Sequence, residues 1–111
     1  MKTMPLLIAA LTLAAPLGYA AAQQIGSARE GQNLAETVCA ECHQIGRGAQ
    51  PAARNQAPNF ETLANTRGVN AMALRVALQT SHMKMPNLML SEEQRESVIA
   101  YILTLKKQAA N

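Results

Sequence analysis

Both cysteines of the chain fall in one pentapeptide, Cys39-Ala40-Glu41-Cys42-His43, so neither thiol has a distant partner. A disulfide between them would close a very short loop, constrain little of the unfolded chain and carry enough strain to be redox-active. A thioredoxin-like dithiol needs a βαβ setting. Structural zinc needs four ligands, and the chain offers Cys39, Cys42, His43 and the distant His82, with adjacent Cys42 and His43 poorly placed to share one tetrahedron. The reading that uses every residue where it stands is C-x-x-C-H haem attachment. The thiols of Cys39 and Cys42 then become thioethers to the two vinyl groups, and His43 lies beneath the iron as its proximal ligand.

The rest of the chain is what such a cofactor would need. Residues 1–22 have a basic start at Lys2, an apolar run from Pro5 to Leu17, then Pro16, Gly18 and consecutive alanines, the layout of a cleaved export signal. Ala20-Ala21-Ala22 predicts cleavage before Gln23, with Gly18-Tyr19-Ala20 as an alternative site; the competing reading is an uncleaved anchor over Met4 to Ala22. The domain is then 23–111, with Phe60 and Tyr101 as its only large aromatic side chains. A domain so small and so poor in large side chains needs a staple or a cofactor in its middle. Burying several hundred Å² of apolar macrocycle at about 25 cal/mol per Å² contributes on the order of 10 kcal/mol before entropy costs. The haem-free chain is therefore expected not to hold its fold.

Without Lys2 the basic residues barely outnumber the seven glutamates, and there is no aspartate. This, with the aromatic poverty, argues against nucleic acid.

Hydrophobic periodicity predicts an all-α domain of about four short helices. Ser27 and Glu30 form a capping box for a helix bearing Leu34, Ala35 and Val38, which places the pentapeptide at its C-terminus. Residues 44–58, rich in Gly, Pro and Ala, have no period and predict a loop wrapped around something. Asn59 caps a short helix with Phe60 and Leu63 inward. A third begins near Asn70, with Ala71, Leu74 and Leu78 on one stripe and Met72 and Val76 flanking it. Ser91 and Gln94 box the start of the last, whose buried stripe is Val98, Tyr101, Ile102 and Leu105. Lys106 and Lys107 close it, where positive charge suits the helix dipole.

Haem chemistry turns on the other face of the iron. Candidates for a sixth ligand are Met72, His82, Met83, Met85 and Met89. Met72 and Met89 read as packing residues. Pro86 follows Met85 and stiffens an extended loop, which suits a sulfur held towards a metal. Met83, two residues away on an extended chain, shares that face and is the exchange candidate; His82 or no ligand are the remaining alternatives.

The C-x-x-C-H near the mature N-terminus, Met85-Pro86 in a later loop and a final helix reading "SEEQRESVIAYILTLKK" resemble the small bacterial monohaem class I c-type cytochromes, over nearly all of residues 27–107. The resemblance implies the cytochrome c fold, one covalent haem c, His43 as proximal and Met85 as distal iron ligand. It further implies that Gly31 lets the first helix approach the face carrying Val98 and Tyr101, and that the Pro58 carbonyl orients the His43 ring. Glycine as a mere helix interruption is the alternative for Gly31.

The function expected on these grounds is single-electron transfer in the periplasm by a monomeric carrier that is not an enzyme. Its partners would be redox proteins: a dehydrogenase, a cytochrome complex or a terminal oxidase. Lys84, Arg47, Arg54, Arg67 and Arg75 are candidates to steer an acidic partner, and ordinary solvated charges account for them equally well. Rival readings are a five-coordinate peroxidase or gas sensor, with His82 assisting, and a cytochrome subunit docked in a dehydrogenase or oxidase complex, which would leave an apolar patch uncovered.

Overall fold

The structure, a computed structural model, describes residues 25–52, 54 and 57–108. The predicted leader, 1–22, and its cleavage sites lie outside the described residues. Among the described residues there are four α-helices and no sheet: α1 (Ala28–Thr37), α2 (Phe60–Asn65), α3 (Ala71–Gln79) and α4 (Glu92–Thr104), with one 3-10 turn at Cys39–Glu41.

Each α-helix starts at a side chain that accepts from an otherwise unpaired amide of the first turn. Ser27, Asn59, Asn70 and Ser91 cap Glu30, Thr62, Ala73 and Gln94 in turn. At Ser91 the box is complete, because Gln94 Oε1 accepts the Ser91 amide at 3.0 Å. At Ser27 it is not. The Ser27 amide donates instead to Ser97 Oγ of α4, at 3.0 Å. A neighbouring helix lies close enough to take the bond that Glu30 was expected to take, and Glu30 stays in solvent.

α4 is the hub, packed against α1, α2 and α3. Val98, Tyr101, Ile102 and Leu105 are buried as predicted, and Ile99 and Ser97 are buried beside them, Ser97 at only 2% exposure. A helix touched from three directions buries more than one stripe. At the α1–α4 crossing the helices meet backbone to backbone. A Cβ on Gly31 would overlap the carbonyl of Ser97 and come within 2.9 Å of the Val98 nitrogen, so Gly31 is a contact residue and not an inert interruption.

Ala35, Phe60, Ala64 and Leu74 complete the core. On α2 the inward pair is Phe60 and Ala64, with Leu63 only half-buried. The predicted core roles of two methionines fail: Met72 is 63% exposed and Met89 82%. The side of α3 turned to α4 is narrow and filled by Leu74 with half-buried Ala71 and Leu78, and Met72 lies outside it, exposed. Met89 sits at φ 51°, a left-handed backbone that turns the chain before α4 begins.

The end of α4 also differs from expectation. Lys106 and Lys107 lie beyond the helix, and the Leu105 carbonyl is met by Arg47 Nη2 at 3.0 Å and Asn65 Nδ2 at 3.1 Å. No helix among the described residues is long and apolar enough to cross a membrane.

Candidate functional site

The pentapeptide follows α1 directly. Amides of Cys42 and His43 both donate to the Cys39 carbonyl, at 3.1 and 2.9 Å, a tight turn that puts both thiols and the imidazole at the end of one rigid helix. Cys39 is buried and Cys42 half-buried, and both thiols are free. Burial pushes the Cys39 thiol up to about 11. Burial thus disfavours the Cys39 thiolate, the reverse of what dithiol redox chemistry asks of an attacking sulfur. Zinc fares no better, since no three His, Cys, Asp or Glu side chains converge among the described residues.

His43 is held from two sides. Its Nδ1–H donates to the Pro58 carbonyl at 2.7 Å, which fixes the tautomer and leaves the Nε2 lone pair available to a metal. Its ring lies 5.2 Å from that of Phe60, tilted by 51°, and Phe60 in turn lies 6.4 Å from Tyr101. Tyr101 Oη donates to the Ile45 carbonyl at 2.8 Å in the core. The loop is drawn in by these contacts and by the Phe60 amide, which donates to the Gln44 carbonyl at 2.9 Å. Phe60 as the wall of the imidazole escaped the sequence reading, although its rarity among so few aromatics was a signal. Ser97, Asn65 and Arg47 escaped it for want of any local signature.

Met85 is half-buried in a two-residue hairpin. The amides of His82 and Met85 donate to each other's carbonyls, at 3.1 and 2.8 Å, with Met83 and Lys84 forming the turn between them. Met83 takes a positive φ of 46° there and is fully exposed. This corrects the expectation that Met83 shares a face with Met85: the chain reverses between them, and the residue opposite Met85 is His82.

Three of the five cations expected to steer a partner are engaged within the chain. Arg47 pairs with Glu61 at 3.0 Å, Arg54 with Glu41 at 3.1 Å, and Arg75 forks onto Glu96 at 2.6 and 2.7 Å. Lys84 and Arg67 are exposed and make no ion pair among the described residues.

An all-α domain closed around a C-x-x-C-H turn, with an oriented imidazole beside it, defines the class of small proteins built on one covalently attached haem. A family model, Cytochrome c, matches residues 28–106, and the chain belongs to the cytochrome c family. Comparison with curated proteins and with solved structures finds no match. The protein is thus a haem-based electron-transfer protein of the small class I type, and its cofactor is covalent haem c with iron. The residues present fit that group. Two thiols stand one 3-10 turn apart at the end of α1, beside an imidazole whose Nε2 makes no hydrogen bond among the described residues.

Proposed function

We propose that the protein is a periplasmic single-electron carrier in which Cys39 and Cys42 bear the haem thioethers and His43 and Met85 are the two axial ligands of iron. The observation that carries this reading is the 2.7 Å bond from His43 Nδ1 to the Pro58 carbonyl. It selects the ligating tautomer and holds the ring still. The bound haem supplies a one-electron iron couple, and methionine as sixth ligand raises its potential. Met85 would supply its thioether to the iron and so keep small molecules off it; Pro86 and the hairpin limit how far its backbone can move. The uncommitted charges Lys84 and Arg67 orient an acidic redox partner, a dehydrogenase, cytochrome complex or terminal oxidase, at long range.

The test is the visible spectrum of protein made in a host that attaches c-type haem. Ferric protein should show the long-wavelength sulfur-to-iron band of His/Met ligation, and the reduced protein sharp low-spin bands that carbon monoxide does not alter. A high-spin, carbon-monoxide-sensitive spectrum would move the protein to the peroxidase or sensor class.

A further inference from the structure

His82 and Met85 form the hydrogen-bonded pair of a minimal antiparallel bridge, each amide bound to the other's carbonyl. Directly opposed residues of such a pair have Cα atoms about 5.5 Å apart and side chains on the same face. His82 and Met85 therefore leave the bridge on the same side, Met85 half-buried and His82 exposed. A second observation stands apart from this register. His82 Nδ1 donates to the Thr80 carbonyl at 3.1 Å, which leaves Nε2 with its lone pair, the same preparation that the Pro58 carbonyl gives His43. In both histidines Nδ1 faces a backbone carbonyl and Nε2 is the nitrogen left to bind iron, and His82 is exposed.

We infer that His82 is a reserve axial ligand: when the Met85 thioether is lost from the iron, the His82 imidazole takes its place. Exchange of a thioether for a neutral imidazole moves no electron and no proton. The site stays six-coordinate and low-spin, closed to exogenous ligands, at a lower potential because the methionine is gone. The inference rests on Met85 being the ligand in the native protein.

The experiment uses the haem-loaded protein at neutral pH. Native protein and His82→Ala should both show the sulfur-to-iron band, which tests the Met85 reading separately; its absence from the native protein would overturn that reading and the reserve role with it. Met85→Ala, and Met85→Leu as the volume-conserving partner, should lose the band yet remain low-spin, with the electron paramagnetic resonance of two imidazoles and a lowered midpoint potential. Adding His82→Ala to either should give a high-spin haem that binds carbon monoxide when reduced. High-spin haem in the Met85 single variants, loss of haem from both of them, or a low-spin state that survives removal of His82 would overturn the inference, the last pointing to Met83, Met89 or Lys84.

Discussion

Single residues decide how closely this small domain can close. Gly31 has no room for a side chain, because the Ser97 carbonyl already occupies the place of a Cβ. Since both neighbours are backbone, Gly31→Ala must push α1 off α4. A loss of roughly 1–3 kcal/mol is expected, read as a lower denaturant midpoint of the haem-loaded protein. Tyr101 acts one turn further along α4, where its hydroxyl is the donor that satisfies the buried Ile45 carbonyl. Tyr101→Phe keeps the ring against Phe60 and orphans that carbonyl, at a cost of about 1–3 kcal/mol. Its visible spectrum should be that of the native protein, because the His43 bond to Pro58 is untouched.

Between elements, the pairing of Arg75 with Glu96 ties α3 to α4 through two parallel N–H to oxygen bonds. The Arg75 hydrogen bond, aided by the charges of Arg75 and Arg95, holds the Glu96 carboxyl below its ordinary 4.5 against the opposing effect of burial. A depressed carboxylate stabilises the fold fully above its unfolded value and ceases to do so as pH falls through the folded one. Native protein should therefore be more stable than Glu96→Gln at neutral pH, with the gap closing below about 4.5 in denaturant titrations at stepped pH. The α1–α4 junction depends on a different bond. Removing the Ser97 hydroxyl in Ser97→Ala leaves the Ser27 amide without its acceptor and should cost about 1 kcal/mol in the same assay.

At the scale of the molecule, four helices bury one phenylalanine, one tyrosine and a handful of aliphatic side chains, while large apolar residues such as Met72 and Val76 stay in the open. Burying several hundred Å² of an apolar macrocycle contributes on the order of 10 kcal/mol, comparable to the whole stability of a domain this size. Chain produced without haem attachment should lack near-ultraviolet circular dichroism and unfold without a cooperative transition. The elements themselves were legible in the sequence because what makes them is local. Capping side chains sit three residues from the amides they accept, and the haem motif is complete within five consecutive residues. What lay beyond reach is non-local. Ser97 takes an amide 70 positions away in place of Glu30, and Arg47 and Asn65 reach across the fold to the end of α4. The Pro58 carbonyl was expected from family likeness, and the fold brings it onto His43. The residue facing alongside Met85 depended on whether the chain ran straight or turned at Met83. The sequence by itself determined the helices, the haem motif and the all-α class, since short-range periodicity and spacing encode them. Only the tertiary structure decided that His82 stands opposite Met85 and which cations are already paired, because reversal of a chain and proximity across it depend on the whole packed fold.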